Sequence, residues 1–242
     1  MKIGTMVRGN GGKAPRRLKA LLSGGFESFQ LHWWAGIGDE RLAETADAVQ
    51  IILAEYVDSR ETPAISSLGL YANPLRKDAE GEEARRSLGK LIRHARHFGC
   101  DLVGIFTGRL PGTPWEESLT DFRKIIGDFC LEAADHGVRL AMENCPMDGS
   151  DESGDWNLAY KPIAWRKLYE ALPSAAVENL GLEWEPAHQI LQGLNPMEQI
   201  EEWAHLFYHI HGKDARRERD GSRRQTLPGN GDTDWFEVIR RF

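Results

Sequence analysis

Three short apolar runs of this chain each deliver an acidic or imidazole side chain where the run ends. Glu143 closes the first run, and His211 lies near the end of the third. Glu185 closes the second run, and His188 follows three residues later. Carboxylate oxygens and imidazole nitrogens are ligands that divalent cations accept in proteins. Since parallel strands of an α/β barrel present their carboxyl ends on one face, we predict one divalent metal site formed by Glu143, Glu185 and His211.

Two further polar side chains alternate with these candidates. Glu183 lies two residues before Glu185, and His209 lies two residues before His211. Side chains two residues apart on a strand share a face, so we expect at least one of the two glutamates to point inward. His209 lies lower on its run than His211, and we expect it to be a core histidine held by hydrogen bonds.

A basic segment follows the third run. Lys213 and Asp214 form either an ordinary ion pair or groups that support the site and contact substrate, and Lys213 is a candidate substrate contact. The arginines beyond them form either a solvated loop or a loop from which one guanidinium reaches a substrate phosphate or carboxylate. They are Arg216, Arg217, Arg219, Arg223 and Arg224.

Aromatic side chains close a further apolar run near the N-terminus. The segment reads His32-Trp33-Trp34. At the mouth of a barrel such rings either stack on the face of a sugar or seal the core. Trp33 is therefore a candidate substrate contact, with core packing as the alternative.

The elements that must position these residues alternate along the chain. Apolar runs predict strands at Ile3–Val7, Ser28–Trp33, Ala64–Leu70, Asp101–Thr107, Leu140–Asn144, Gly181–Glu185 and Leu206–Gly212. Longer amphipathic runs predict helices at Pro15–Ser23, Glu40–Asp58, Glu82–Phe98, Trp115–His136, Pro162–Leu172 and Pro196–His205. Prolines lie near the first turns of several helices, and glycines lie just past the ends of others. This alternation predicts a parallel sheet with right-handed crossovers.

The number of predicted strands distinguishes a doubly wound sheet from a barrel. Seven β–α units are more than a typical doubly wound sheet has and one fewer than a (β/α)8 barrel needs. The segment Gly9–Gly12 lacks the spacing of a phosphate-binding loop. A last helix is predicted to begin at Trp235, and no eighth strand is predicted before Phe242. We therefore predict an α/β fold, a (β/α)8 TIM barrel lacking the eighth strand within these 242 residues.

A barrel of this kind leaves strand edges and apolar surface uncovered. The edges near Ile3–Val7 and Leu206–Gly212 would be unpaired, and the apolar faces of Trp235, Phe236 and Phe242 would be exposed. Proteins usually cover such edges. We expect either a further C-terminal segment or a partner chain, and a homo-oligomer is the simpler prediction.

The length allows one large domain or two small ones, and the predicted strands favour a single TIM-barrel domain that spans residues 1–242 and is expected to be incomplete at its C-terminus. Hydrophobic residues make up 41% of the chain and the net charge is −7, which argues against a nucleic-acid partner. No apolar run is long enough for a membrane span, and no secretory signal precedes the first strand. Three separated cysteines fit neither a disulfide framework nor a zinc knuckle, so a reducing cytoplasm is the expected location.

Five segments together resemble the xylose isomerase-like TIM-barrel superfamily, and within it the sugar phosphate isomerase/epimerase group. They are Met142–Met147 (MENCPM), Asn179–His188 (NLGLEWEPAH), Gln192–Pro196 (QGLNP), His209–Asp214 (HIHGKD) and Leu227–Trp235 (LPGNGDTDW). Each segment alone is a weak signal, but their order on the predicted strands is specific. The resemblance runs from Lys2 to the end of the chain.

The resemblance implies one divalent ion, most often Mn²⁺, with Mg²⁺, Co²⁺ or Zn²⁺ as alternatives, held by four ligands on the last four strands. Glu143, Glu185 and His211 fall on three ligand positions, and Glu143 also falls on that of a catalytic base. His188 and Arg217 fall on positions that contact substrate. Two features depart from the family pattern. Glu185 stands where the group usually has aspartate, and no predicted strand supplies the fourth ligand.

The function that the resemblance implies is an isomerase or epimerase. It would act on a keto-sugar or sugar phosphate, a small-molecule substrate, by proton transfer through an enediolate. Three alternatives stay open: an inosose-type dehydratase that uses the same site, a truncated barrel that is inactive or only binds ligand, and a DNA-repair hydrolase that acts at abasic sites. The hydrolase needs a basic groove and more metal ligands than the sequence offers.

Overall fold

Seven parallel strands form one sheet in the order in which they occur in the chain. The computed structural model describes residue 2 and residues 4–10, 12–56 and 62–242. The strands are β1 (Gly4–Arg8), β2 (Ser28–Trp34), β3 (Ala64–Tyr71), β4 (Leu102–Ile105), β5 (Arg139–Glu143), β6 (Leu180–Trp184) and β7 (Phe207–Ile210). All neighbours in the sheet are parallel, because the helix between two strands returns the chain to the same end of the sheet.

Helices connect the strands. They are α1 (Ala14–Leu22), α2 (Leu42–Glu55), α3 (Ala79–His94), α4 (Leu119–Asp135), α5 (Pro162–Ala171), α6 (Ser174–Val177), α7 (Pro186–Leu191), α8 (Met197–Trp203) and α9 (Trp235–Arg241). Local signals explain several of their ends. Asp78 caps α3 by accepting a hydrogen bond from Gly81 N at 3.1 Å, and Gly99, with a φ of 78°, closes the 3₁₀ turn that follows α3.

The predicted strands are confirmed with small shifts at their ends, and most predicted helices are found. The pattern does not predict the short helices α6 and α7. The predicted strand Gly181–Glu185 ends directly before Pro186, and in the structure Pro186 begins α7, because its fixed φ suits a first helical turn. The predicted limits Ile3 and Asp58 lie outside the described residues, as does Gly11 within the segment Gly9–Gly12.

The sheet curls into an open barrel. Gln30 on β2 donates a hydrogen bond of 2.5 Å to Glu183 on β6, and Ser66 on β3 lies 3.2 Å from His209 on β7. The inner faces of distant strands therefore meet across the interior. Among the described residues β1 and β7 do not pair with each other. Over the residues that the structure describes, the fold is a TIM barrel that lacks the eighth strand, as the sequence predicts.

Two glycines on the inner face leave room for polar side chains. A Cβ atom at Gly104 of β4 would lie 2.6 Å from the Glu183 carboxylate, and one at Gly69 of β3 would lie 3.2 Å from the Tyr71 hydroxyl. The first distance is too short for any side chain to occupy. Glycine in a strand interior often marks such a close approach.

The main core lies between the sheet and the helices. Trp33 on β2 is fully buried and packs edge-on against Phe98, with ring centroids 6.3 Å apart. Trp184 on β6 stacks on Phe207 of β7 at 4.9 Å. Burying a large apolar side chain stabilises a fold by roughly 1.5–3 kcal/mol, so these rings fix the outer faces of the strands that carry the polar side chains.

An antiparallel hairpin replaces the predicted basic loop after β7. Its strands are β8 (Asp214–Arg217) and β9 (Arg223–Thr226). Arg216 faces Arg224 across the hairpin, a pairing of like charges that is unfavourable by itself. Both guanidinium groups contact the Glu218 carboxylate, which compensates the repulsion. Backbone pairing and Glu218 therefore order a segment that the sequence presents as a charged loop.

The C-terminal helix α9 leaves apolar side chains exposed. Phe236 is 91% exposed and Ile239 is 56% exposed. The predicted exposure is therefore found at Phe236 and at Phe242, which is 45% exposed. It is not found at Trp235, which packs against the core and donates to Asp214 Oδ2 at 2.9 Å. In the described part of the chain, every helix is too short or too polar to cross a membrane.

Candidate metal and substrate site

The carboxylate of Glu143 lies at the carboxyl end of β5. The residues Leu140–Met142 before it are fully buried, and Glu143 itself is only 5% exposed. Asn157 donates its amide to Glu143 O at 2.7 Å and so fixes the backbone where the strand ends. The carboxylate therefore enters the site from a rigid element.

Glu185 and His188 enter from the end of the next strand. Asn144 clamps the backbone of Glu185, because its Oδ1 accepts from Glu185 N at 2.7 Å and its Nδ2 donates to Glu185 O at 2.9 Å. Glu185 is fully buried at the first turn of α7. His188 belongs to that helix. Its Nε2 lies 3.0 Å from Glu185 Oε1.

His211, which follows β7, joins the two carboxylates. Its Nδ1 lies 3.3 Å from Glu185 Oε2 and 3.4 Å from Glu143 Oε1. Ligand atoms of Glu143, Glu185 and His188 all lie within 4.8 Å of one another. The structure therefore brings together the three predicted ligands and His188 at the carboxyl ends of neighbouring strands.

A second polar layer lies deeper in the barrel. Glu183 is fully buried, and its Oε1 lies 2.9 Å from His209 Nδ1 and 3.4 Å from His211 Nε2. Tyr71 donates its hydroxyl to Glu183 Oε2 at 2.9 Å. His209 also lies 3.2 Å from the Ser66 hydroxyl through Nε2, so it is a hydrogen-bonded interior histidine as predicted. Glu183, within β6, and Glu185, directly after β6, therefore both point to the inner face of the barrel.

The pKa values of Glu143 and Glu185, whose carboxylates lie beside His211 Nδ1, are shifted in opposite directions. Burial raises the pKa of Glu143 to about 7, and the negative charges of Glu185 and Glu183 act in the same direction while His211 opposes them. Burial also opposes the ionisation of Glu185, but His211, His188 and Lys213 outweigh it and lower the pKa of Glu185 to about 2. Glu185 is thus a fixed negative charge near pH 7, whereas Glu143 is poised between its two forms.

The Lys213 ammonium lies beside Glu185. Its Nζ donates to Glu185 Oε2 at 2.7 Å, and the lysine side chain is 47% exposed while the glutamate is buried. Burial opposes its charge, but the Glu185 carboxylate raises the pKa of Lys213 above its ordinary value. Lys213 therefore presents a positive charge where the site meets solvent.

An aromatic wall lines the mouth of the barrel next to this site. Trp34 lies within 5.9 Å of Tyr71 and of Trp156, measured between ring centroids, and Phe106 lies 5.0 Å from Tyr71. A cavity of about 160 Å³ adjoins the wall and is lined by Ala35, Ala72, Asn73, Arg76, Asp155 and Trp156. Because Tyr71 contacts Glu183, the wall continues from the interior to the mouth.

Trp33 does not belong to this wall. Its side chain is fully buried on the outer face of β2, and its Nε1 donates to Glu40 Oε2 at 2.9 Å. The predicted substrate contact at Trp33 is therefore corrected: alternation along the strand turns Trp33 toward the helices and the adjacent Trp34 toward the mouth. The alternative role for Trp33, core packing, is the one that the structure supports.

Arg217 lies in the β8–β9 hairpin and is exposed. It shares a strand face with Ala215, which packs against Ala187 and Ile190 of α7. Its backbone N donates to Asp232 Oδ2 at 2.8 Å. The structure does not bring its side chain into the cluster around His211.

The cluster fits a divalent cation. Among the described residues, Glu185 Oε1 is buried without a hydrogen-bond partner, since its contact with His188 Nε2 lacks hydrogen-bond geometry. An unpartnered carboxylate oxygen in the interior is costly unless a cation compensates it. Two carboxylates and an imidazole nitrogen are a ligand set that Mn²⁺, Mg²⁺, Co²⁺ and Zn²⁺ accept to different degrees.

Sequence reasoning misses the residues that hold the cluster in place. Gln30 lies between the apolar Phe29 and Leu31 of β2, and that interruption is the one signal that marks it, whereas Tyr71 is the last residue of β3 and has no comparable signal. Asn144 directly follows Glu143, but its spacing does not reveal that it clamps Glu185. Asn157 lies in a loop with no recognisable pattern. These side chains meet the site only through the curvature of the sheet.

Residues 18–242 match the family described as xylose isomerase-like TIM barrel. The match covers most of the chain, and the chain therefore belongs to that family. This membership confirms the resemblance seen in the sequence. No sequence among the curated proteins matches the chain.

Solved structures of low sequence identity share the fold. A D-tagatose 3-epimerase-like protein has a TM-score of 0.72 at 17% identity, covering 100% of this chain and 85% of its own. The probable 3-DHS dehydratase AsbF, involved in petrobactin synthesis, from Bacillus anthracis has a TM-score of 0.68 at 15% identity, with coverages of 100% and 88%. A xylose isomerase-like TIM barrel protein from Mycobacterium smegmatis in complex with magnesium has a TM-score of 0.68 at 17% identity, with coverages of 93% and 76%.

Proposed function

We propose that the chain is a divalent-metal-dependent isomerase or epimerase acting on a keto-sugar or sugar phosphate. One observation carries the proposal: the Nδ1 atom of His211 lies 3.3 Å from Glu185 and 3.4 Å from Glu143 at the mouth of the barrel. A catalytic site at this end of the strands is the rule for barrels of this type.

Glu143, Glu185 and His211 would hold the cation, and His188 lies beside them. A bound divalent ion would supply Lewis acidity toward the carbonyl and neighbouring hydroxyl oxygens of the substrate. We propose Mn²⁺ as the ion, with Mg²⁺, Co²⁺ and Zn²⁺ as alternatives that the same ligands accept. The family member from Mycobacterium smegmatis was solved in complex with magnesium, which supports a divalent site in this fold.

Glu143 is the proposed base. It would remove the proton from the carbon next to the carbonyl, the task of a positioned general base. Burial raises the pKa of Glu143 to about 7 in the absence of a cation, and a bound cation would hold Glu143 in the ionised form that a base requires. Return of the proton to the same carbon from the opposite face gives epimerisation, and return to the neighbouring carbon gives isomerisation.

The substrate would lie between the charged cluster and the aromatic wall. His188 and Lys213 supply polar contacts close to Glu185, at 3.0 Å and 2.7 Å. Trp34 and Trp156 offer ring faces on which the C–H groups of a sugar stack. Arg217 remains a proposed contact for a substrate phosphate, since a guanidinium binds phosphate oxygens in pairs.

A dehydratase is the second candidate. The probable 3-DHS dehydratase AsbF shares the fold along the whole of this chain. Elimination of water also begins with removal of a proton next to a carbonyl, so Glu143 would serve both reactions. An isomerase or epimerase leaves the molecular mass of the substrate unchanged, whereas a dehydratase lowers it by one water molecule.

Deuterium incorporation tests the proposal. The protein is incubated with Mn²⁺ in D₂O with a panel of ketoses and ketose phosphates, and the products are analysed by NMR and mass spectrometry. Deuterium at the carbon next to the carbonyl, lost in Glu143→Gln and retained in the exposed control Glu178→Gln, is the expected result. Loss of water instead would favour the dehydratase. Exchange that persists in Glu143→Gln would remove Glu143 from the role of base.

A further inference from the structure

The carboxylate of Glu183 is a buried charge that the proposed reaction does not use. It lies two residues before Glu185 and is fully buried. Gln30 Nε2 lies 2.5 Å from its Oε1, and the Tyr71 hydroxyl lies 2.9 Å from its Oε2. Gly104 leaves the space that the carboxylate occupies, since a Cβ there would lie 2.6 Å away. A charge so fully enclosed and so closely surrounded by donors is a built feature of the interior.

Glu183 determines which way the amide of Gln30 faces. An ionised carboxylate only accepts hydrogen bonds, so the Gln30 NH₂ group must turn toward it. The opposite orientation would set the amide oxygen against the carboxylate. The Gln30 oxygen therefore faces the other side, where it lies 2.9 Å from His211 Nε2 and 3.2 Å from the Tyr71 hydroxyl.

The orientation of Gln30 in turn selects one form of His211. An amide oxygen accepts hydrogen bonds but cannot donate them, so His211 Nε2 must carry a proton to pair with it. His211 Nδ1 is then the nitrogen that a cation would take on the side of Glu143 and Glu185. In the absence of a cation, those two carboxylates favour a proton on that nitrogen as well. A carboxyl group that orients a histidine ligand through its second nitrogen is a recurrent support of metal sites.

We propose that Glu183, acting through Gln30, is the positioning residue that holds His211 with its proton on Nε2 and its Nδ1 directed to the cation. The proposal rests on the proposed function, because it assigns the supporting group of the same metal site. It also names the nitrogen through which His211 binds.

A second cation between Glu183, His209 and His211 is the competing explanation. Ligand atoms of these three residues lie within 4.8 Å of one another. However, both oxygens of Glu183 already face donors, from Gln30 and from Tyr71. His211 Nε2 is likewise occupied by the Gln30 oxygen. These hydrogen bonds favour a supporting layer. Among the described residues, however, His209 Nδ1 is buried without a hydrogen-bond partner 2.9 Å from Glu183 Oε1, which a second ion would explain, and the number of bound ions distinguishes the two.

Cation binding gives the first test. Co²⁺ is titrated into the full chain, with affinity and stoichiometry from calorimetry and the ligand field from visible absorption. Wild type should bind one ion. Glu183→Gln should bind it about 10- to 100-fold more weakly with an altered Co²⁺ spectrum, because its side chain no longer fixes the amide of Gln30. Tyr71→Phe, which keeps the carboxylate, should lose less. The matched control Glu178→Gln lies on the surface and should match wild type.

Nitrogen NMR of the wild-type protein gives the second test and needs no variant. In the protein loaded with diamagnetic Zn²⁺, His211 should show a protonated Nε2 and a metal-shifted Nδ1. A metal-shifted Nε2, two bound ions, or unchanged affinity and spectrum in folded Glu183→Gln would each overturn the positioning role while leaving the proposed function standing. If wild type binds no divalent ion, the proposed metal function fails and this inference fails with it.

Discussion

Replacing Asp214 by asparagine should destabilise the segment that follows the candidate metal site. Asp214 is fully buried, and N–H groups surround its carboxylate. Its Oδ1 accepts from Ala215 N at 2.9 Å and Thr233 N at 3.3 Å, and its Oδ2 accepts from Gly229 N at 3.1 Å, Gly231 N at 3.1 Å and Trp235 Nε1 at 2.9 Å. One carboxylate therefore ties the start of β8 to the loop before α9.

The size of the effect follows from these contacts. Asparagine keeps one acceptor oxygen and presents NH₂ to the donors on the other side. In the better orientation the oxygen keeps the three donors of Oδ2, and two backbone N–H groups lose their acceptor. Each buried donor left without a partner costs about 1–3 kcal/mol, and the remaining bonds lose their charge assistance. We expect the free energy of unfolding to fall by about 3–5 kcal/mol, within the range for broken buried networks.

Urea unfolding followed by circular dichroism measures this loss at pH 7. Asp128→Asn is the control, because Asp128 is exposed on α4, and a substitution there should change the free energy of unfolding by no more than about 0.5 kcal/mol. A loss below about 1 kcal/mol in Asp214→Asn would refute the argument that this carboxylate organises the segment.

The pH dependence gives an independent check. Burial opposes the ionisation of Asp214, but hydrogen bonds from Trp235 and Thr233 outweigh it and lower its pKa. A lowered folded-state pKa means that the stabilisation is present above the unfolded value of about 4 and is lost as the pH falls through the folded value. The difference between wild type and Asp214→Asn should therefore shrink in acid.

Four further predictions follow from the same contacts. Gly104→Ala should lower the free energy of unfolding by about 1–3 kcal/mol and weaken Co²⁺ binding. Gly127→Ala is the control, because a Cβ at Gly127 would meet only ordinary contacts from 3.5 Å. In the same measurements the control should be neutral or stabilising. Divalent-ion affinity should rise with pH from about 6 upward, because Glu143, with its pKa raised to about 7, must lose its proton to bind. His211 must also lose a proton, and although burial opposes its charge, Glu183, Glu143 and Glu185 raise its pKa well above the ordinary value; titrations at three pH values check the sign. Trp34→Ala should raise KM for the substrate with little change in Co²⁺ affinity. Sedimentation velocity should show a homo-oligomer, and a monomer at micromolar concentration would contradict that prediction.

The order of the barrel elements could be predicted because its signals are local. Apolar runs mark the strands, and prolines and glycines mark the helix ends within a few residues of each signal. The short helix α7 could not be predicted, since six residues are too few for a helical period to emerge. The β8–β9 hairpin could not be predicted either. Its strands read as arginine-rich, and they are ordered by Glu218 and Asp214 rather than by an apolar alternation.

The residues of the candidate site also differ in whether a local signal in the sequence marks them. Glu143, Glu185 and His211 were recognisable because a strand end is a local feature and because parallel strands bring their ends together. Trp33 was misassigned, since a one-residue change in alternation exchanges the inner and outer faces of a strand. The pair Trp33 and Trp34 offers an aromatic side chain to either face, so composition could not choose between them.

The deeper layer of the site depends on contacts that no spacing in the chain reveals. Alternation places Glu183 on the same face as Glu185, but it does not show what makes a second buried carboxylate tolerable there. The donors come from Gln30 on β2 and Tyr71 on β3, and the space comes from Gly104 on β4. Each of these features belongs to a different strand, and they meet only after the sheet curls. The charge of Glu183 thus opposes folding until the sheet has curled, and afterwards it holds His211 in one orientation. Curvature of the sheet is thereby linked to the geometry of the site.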